Sequence, residues 1–348
     1  MADERVLGAD SSMRADIDSN ADVKGGTIFI SWVKYHGRSE AIADAVGAKA
    51  VFIVDERENI SVIRRYFRQS VATYGLIRKT QPRVVIAMLP PAPLILVLLL
   101  AGVRRAQIVA DLHTGFFTDP KWKWACNSTL RILRRSMVIV TNSDLKKYCD
   151  VQGNSTLVMH DLLESPDDAV ERTFEEFQEP TVLCPLSYAN DEPLAEILEA
   201  AANLTSVKFI FTGNAPEWVR VTAPSNIEFA GYLSNEKYWE TLNKSWCVLA
   251  LTTRDSTMQR AGYEALISGK PLLTSDHSVL RDYFQDAANY CDQSSESIRS
   301  EILQTIERRE DLSREIARTL SEKVAEQVGS VQLLMQHLYV TIPSQSKP

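Results

Sequence analysis

The sequence predicts an α/β protein made of two successive Rossmann-like domains followed by a helical tail. Three observations lead there. Short apolar runs rich in β-branched residues alternate with helix-like segments along most of the chain. An acidic, proline-flanked stretch near the middle divides that alternation in two. The last stretch, about 310–338, has mixed charge and helical character but no strand pattern. At 348 residues the chain also exceeds what one ordinary core organises.

Residues 1–24 are polar and acidic, contain no apolar segment of the signal-peptide kind, and are expected to form a disordered tail. The first domain is expected over 25–165. Its near-continuous apolar runs at 27–33, 49–54, 83–88, 106–111, 136–142 and 155–161 fit parallel strands buried on both faces. Helices are expected between them at 38–47, 59–79, about 91–101, about 121–135 and 143–149. The run Leu94–Leu100 is bounded by Pro93 and Gly102 and falls well short of the ~20 residues of a membrane span. It reads as a buried helix, with shallow membrane contact as the alternative.

Residues 166–180 lose the strand pattern and suit a linker. The second domain, 181–310, carries strand signals at 181–186, 207–213, 227–233, 247–252, 271–275 and 288–292. Helices are expected at 192–203, 234–244, 258–268, 278–284 and 294–308, and residues 311–348 form C-terminal helices and tail. Ligands of such sheets bind at the carboxyl ends of the strands, which predicts a cleft site between the halves.

Composition narrows the function. With 45% hydrophobic and 24% charged residues the chain reads as soluble and globular. A net charge of −7 argues against a general nucleic-acid binder. Five dispersed cysteines with no paired spacing read as reduced thiols of a cytoplasmic protein. His160, His277 and His337 lack ligand spacing, so neither a metal nor another cofactor is expected.

The chemistry concentrates in 252–284. A strand ends at Leu251, a loop carrying Arg254 follows, and a helix is expected to open near Met258, where Ser256 and Gln259 have capping-box spacing. A helix start presents free N–H groups and partial positive charge, which with Arg254 or Arg260 suits a diphosphate. The bland alternative is that both arginines are solvated loop charges. Thr257 joins Ser256 and Gln259 as a candidate donor contact, and Glu264 is placed to accept bonds from ribose hydroxyls.

This segment resembles the donor-binding region of glycosyltransferase family 4, a retaining family of the GT-B fold. That family carries an E-x7-E motif in the setting G-[FL]-P-x-x-E-A-x-A-x-G-x-P-[VL]. Here Glu264-Ala265-Leu266-Ile267-Ser268-Gly269-Lys270-Pro271-Leu272 matches its second half, and Gly231-Tyr232-Leu233 matches its F-x-G-x-[LV] strand. The chain departs from the pattern twice. Ser256 stands where the first glutamate falls, and PLSYANDEPL (185–194) lacks the basic pair that holds the donor diphosphate. The resemblance implies two facing Rossmann-like domains. It also implies retaining transfer from a nucleoside diphosphate sugar to a glycan or lipid-linked acceptor, with Gly231 and Tyr232 added to the donor set. It further implies C-terminal helices that pack back on the first domain.

In the first half, Asp111 and His113 stand two apart at a strand end, where they read as catalytic residues or as a structural pair capping the next loop. His36, Gly37 and Arg38 occupy the first strand–helix turn, which in this fold faces the acceptor and the donor phosphates. Asp161, after the last strand, suits a hinge, a cap or a ligand contact. Residues 116–135 interleave Phe116, Phe117, Trp122 and Trp124 with Lys121, Lys123, Arg131, Arg134 and Arg135. They read as an amphipathic helix with its aromatics in the core, or as a peripheral membrane contact. Two rival functions share the fold: a sugar-nucleotide epimerase and a catalytically silent sugar-nucleotide-binding partner subunit.

Overall fold

A computed structural model describes residues 13–15, 25–57, 60–163 and 175–341. The polypeptide divides into two units, Met1–Leu162 with Val328–Pro348, and Leu163–Gln327. The first unit holds β1 (Met13–Ala15), β2 (Thr27–Ser31), β3 (Lys49–Asp55), β4 (Val84–Leu89), β5 (Ile108–Leu112), β6 (Met137–Val140) and β7 (Ser155–Val158). They lie side by side in the order β1-β3-β2-β4-β5-β6-β7. All pair in parallel except β1, which runs antiparallel to β3 with Met13 opposite Asp55. Composition predicts disorder for 1–24; Met13–Ala15 instead forms this edge strand, and the rest of that segment lies outside the described residues.

Burial on both faces explains why the strands read as continuous apolar runs. Alternate residues of each strand enter two different cores. Ile28, Ile30, Val85, Ala87, Ile108 and Ala110 point to one, beneath helices Val62–Thr80, Pro93–Leu100 and Pro120–Ile132. Phe29, Ile86, Val109 and Ile139 point to the other, where they meet Ile42 and Ala43 of helix Gly37–Ala45 and Leu334 and Leu338 of the C-terminal helical segment. Asp111 shares the parity of Val109. It therefore faces helix Gly37–Ala45 from within an apolar strand.

The second unit holds β8 (Thr181–Cys184), β9 (Lys208–Thr212), β10 (Ile227–Gly231), β11 (Cys247–Ala250), β12 (Leu272–Ser275) and β13 (Ala288–Cys291), ordered β10-β9-β8-β11-β12-β13 and all parallel. Val182 and Leu249 enter the core under helices Leu194–Ala202 and Ser295–Glu307. Leu183 and Val248 enter the one under helices Asn235–Lys244, Arg260–Ile267 and Ser278–Phe284. Strand order reverses between β8 and β11 here and between β2 and β4 in the first unit, so each sheet opens a crevice at the carboxyl ends of those strands.

Each strand expected from the sequence is present. Helices Thr114–Thr118 and Glu217–Thr222 are additions that composition did not announce, both short. The expected linker, 166–180, is described only from residue 175 onward. The run Leu94–Leu100 lies in a helix whose Leu94, Ile95, Val97 and Leu98 are buried while Leu96 and Leu100 are exposed. Among the described residues no helix is long and apolar enough to cross a membrane.

Helix Arg260–Ile267 sits close against helix Ser278–Phe284 because Gly262 has no side chain. A Cβ at Gly262 would lie 2.7 Å from Cζ of the buried Phe284, whose ring packs against Tyr263 and Tyr283. Alanine there is expected to destabilise by about 1–3 kcal/mol, despite its higher helix propensity. A urea midpoint equal to or above that of the wild type would contradict this packing.

Candidate functional site

Two clusters gather at the carboxyl ends of the sheets, one in each unit. In the first, His36 caps the helix Gly37–Ala45: its Nδ1 accepts from the Ser39 backbone N–H at 3.3 Å, so the helix start is held by a titratable ring. Ser39 is tied to the ends of two strands, its Oγ accepting from Ser31 Oγ at 3.0 Å and donating to Met88 Sδ at 3.6 Å. Arg38, expected on an acceptor or phosphate loop, turns inward instead. Its Nη2 donates to Asp111 Oδ1 at 3.0 Å and to the Met159 carbonyl at 2.8 Å, its Nε to Asp111 Oδ2 at 3.2 Å, and its Nη1 to Asp161 Oδ1 at 3.1 Å. A buried guanidinium needs this many acceptors. Gly37 begins the helix behind it.

Asp111 is wholly buried. Its second partner is His113, whose Nε2 lies 3.0 Å from Asp111 Oδ2. Burial alone would raise the Asp111 carboxyl, but Arg38 and His113 beside it outweigh that and hold it below the ordinary carboxylate range. An ionised carboxylate only accepts, so His113 donates from Nε2 and in its neutral form leaves Nδ1 unprotonated. His36 is the complement. Burial, with the His113 ring next in importance, lowers its pKa to about 4, and Nδ1 already accepts a backbone N–H. Its proton therefore sits on Nε2. The two rings meet edge to face with centroids 4.8 Å apart. The pair offers one donor and one acceptor, a set suited to sugar hydroxyls.

The second cluster is built on the loops after β8, β11 and β12. Asp191 is its anchor: Oδ2 accepts from Thr252 Oγ1 at 2.8 Å and its carbonyl from Thr253 N–H at 2.7 Å. His277 donates from Nε2 to the Thr252 carbonyl at 2.8 Å. Arg254 reaches across to Asn190 Oδ1 at 2.5 Å, with Asp191 Oδ1 at 3.7 Å. The expected capping box does not form. The helix starts at Arg260, its N-cap Gln259 makes no side-chain cap bond, and Gln259 Nε2 donates instead to the Leu251 carbonyl at 2.7 Å. Strand-end anchoring has won over local capping. Among the described residues, Thr257 Oγ1 and Gln259 Oε1 are buried without a hydrogen-bond partner.

Glu264, expected to accept ribose hydroxyls, accepts from Tyr238 Oη at 2.5 Å on one oxygen and from Arg260 Nε at 2.8 Å on the other. Burial and the neighbouring carboxylate push the Tyr238 hydroxyl far above its usual range, so it stays a donor. Gly231 ends β10 with φ +68°, and its carbonyl accepts from Gly213 N–H at 2.9 Å. Gly213 itself, at φ +78°, could carry no side chain, since a Cβ would lie 2.2 Å from the Leu186 carbonyl oxygen. Tyr232 projects into solvent. Among the described residues no three His, Cys, Asp or Glu side chains converge as a metal site requires.

Sequence reasoning missed the partners of Arg38, Glu264 and Thr252. One signal was available: Asp111 lies inside an apolar strand, and a carboxylate there demands a cation. Nothing local pointed to Tyr238 or Asp191.

Comparison with known proteins agrees with this architecture. Residues 192–338 match the family model described as Glycosyl transferase-like, a stretch that contains Arg254, Arg260 and Glu264. A search of the curated proteins finds no match. Among solved structures, a glycosyltransferase of Rickettsia africae is 12% identical, with a TM-score of 0.66 over 93% of this chain and 100% of its own. HepE of Anabaena, crystallised with UDP and glucose, is also 12% identical, with a TM-score of 0.63 over 90% and 99%. A Listeria monocytogenes protein described as a UDP-N-acetylglucosamine 2-epimerase is 12% identical, with a TM-score of 0.59 over 85% and 91%. The fold is therefore GT-B: two parallel six-strand α/β sheets, the first extended by β1, with helical C-terminal residues assigned to the first unit.

The cap gives the first cluster a pH dependence. His36 titrates near its ordinary 6.5 when unfolded and at about 4 when folded, so between those values the unfolded chain holds more protons. Stability is expected to fall as pH drops through that window, by about 2 kcal/mol at pH 5 for this group. The depressed Asp111 contributes only below it. His36→Asn keeps a capping acceptor and removes the titration, so its urea midpoint should change less than the wild type's between pH 7 and pH 5. Equal changes in both proteins would contradict the assignment.

Proposed function

We propose that the chain is a retaining glycosyltransferase that moves a sugar from a nucleoside diphosphate sugar to a glycan or lipid-linked acceptor. The observation that carries this reading is the match of 192–338 to the Glycosyl transferase-like family model, because that stretch contains the Glu264 helix and the β11 loop at the β8/β11 crevice. HepE binds UDP and glucose on the same fold, which makes UDP the first base to test.

On this reading Arg254 and Arg260 neutralise the diphosphate, replacing the basic pair missing from 185–194. Thr257 and Gln259 supply the polar atoms that lack protein partners. Glu264 holds Arg260 in place through its Nε. The bond from the sugar to the donor phosphate breaks, and the acceptor oxygen bonds to the same face. The acceptor proton passes to the departing phosphate, leaving a nucleoside diphosphate. The main demands are then charge stabilisation and orientation. In the first unit, His113 and His36 orient hydroxyls with Nδ1 and Nε2–H. The epimerase reading fits less well, because the two aspartates it would use as acid and base, Asp111 and Asp161, are both bound to Arg38.

Calorimetric titration with UDP, GDP, ADP and TDP tests the donor assignment. One of these is expected to bind, UDP first. Arg260→Ala and Arg254→Ala should each weaken it roughly tenfold or more, as the loss of a charge-assisted contact does. His113→Ala should leave that affinity unchanged while lowering turnover. Binding by none of the four, or arginine variants with wild-type affinity, would refute the proposed donor pocket.

A further inference from the structure

One face of the first unit carries a surface that glycosyl transfer does not use. Helix Val62–Thr80 buries Gln69, Thr73, Leu76, Ile77 and Thr80, yet presents Ile63, Phe67, Val71 and Tyr74 to solvent at spacings of four, four and three. That is a second apolar stripe, on the side away from the core. Ile63 is 84% exposed and Phe67 68%. A neighbouring helix extends it. Helix Pro93–Leu100, which packs beside this one, exposes Leu96 and Leu100, the latter by 78%. On helix Pro120–Ile132 the tryptophans divide: Trp122 packs edge-on against Tyr66 at 5.7 Å, while Trp124 is 78% exposed. Neither expectation for 116–135 was complete, since one tryptophan serves the core and the other does not.

Charge marks what this surface meets. Residues 61–110 contain eight Lys and Arg and no Asp or Glu, and residues 120–136 contain five and none, in a chain of net charge −7. Among the described residues, Arg64, Arg78, Lys79, Lys121, Lys123 and Arg131 pair with no carboxylate. Where helix Val62–Thr80 ends, Arg78 and Arg104 line a cavity of about 400 Å3.

We propose that this face docks on an anionic lipid bilayer, with Ile63, Phe67 and Leu100 entering the headgroup boundary. The basic residues would take the lipid phosphates, and the Arg78–Arg104 cavity would hold one headgroup. A second copy is the poorer occupant. An isologous interface would set each basic rim against its twin, whereas an anionic bilayer neutralises it. The proposal rests on this surface alone and stands or falls apart from the donor assignment.

Vesicle co-sedimentation of the full chain tests it. The wild type is expected to sediment with phosphatidylcholine vesicles containing about one third phosphatidylglycerol, to release in roughly 0.5 M salt, and to ignore pure phosphatidylcholine. Ile63→Ser with Phe67→Ser, and separately Arg78→Glu with Lys79→Glu, should each cut partitioning roughly tenfold or more. Both pairs sit on the surface, and melting temperatures near the wild type's confirm that they fold. Equal binding to pure phosphatidylcholine, or variants that partition like the wild type, would overturn the proposal. So would a dimer dissolved by Phe67→Ser in a protein that leaves vesicles untouched.

Discussion

The carboxyl edge of the first sheet depends on one buried cation. Arg38 enters from the first turn of a helix and finds Asp111 in β5, the Met159 carbonyl just past β7 and Asp161 two residues on. Taking a guanidinium and a carboxylate out of water costs several kcal/mol for each ion, repaid only when the geometry is good and the remaining donors and acceptors are filled. Here Asp111 uses both oxygens on Arg38, and one of them again on His113. The triad binds a helix start to two strand ends far apart in sequence. Through Asp111 it orients His113, and through the Ser39 cap the same turn orients His36. The two partly exposed imidazoles are thus held by the buried Arg38, Asp111 and Ser39.

The second unit solves the same problem with weaker bonds. Asp191, Thr252, Ser275 and His277 tie three loops together by hydrogen bonds, three short contacts in place of an ion triad. The charged side chains nearby are themselves engaged: Arg254 by Asn190, Arg260 by Glu264, and Glu264 by Tyr238. In the first unit the charges instead engage one another around the buried Arg38.

The parallel strands were legible because burial on both faces writes them as unbroken apolar runs such as VVIAML and TIFIS. The intervening helices were legible from their punctuation, with Pro93 and Gly102 bracketing one and Gly269 following another. The Asp111–His113 pairing followed from two-residue spacing at a strand end. What could not be read depends on distance. Arg38 looks like a loop cation until strands more than 70 residues away supply its carboxylates. Ser256 and Gln259 satisfy a local capping pattern, but the Leu251 carbonyl claims the Gln259 amide first. Trp122 and Trp124 share a helix and a composition. Trp122 is partly buried against Tyr66, while Trp124 is exposed.

The acid-free stretch of 61–110 has a consequence for how the molecule behaves in bulk. A chain with net charge −7 that places eight cations and no acid within 61–110 distributes its charge unevenly. Its electrophoretic mobility reports the net charge, while its adhesion reports the face. It should be retained by anion-exchange resin and by sulfated or phosphorylated matrices alike. At low ionic strength the basic face of one molecule attracts the acidic surface of the next, so solubility should rise with added salt as that attraction is screened.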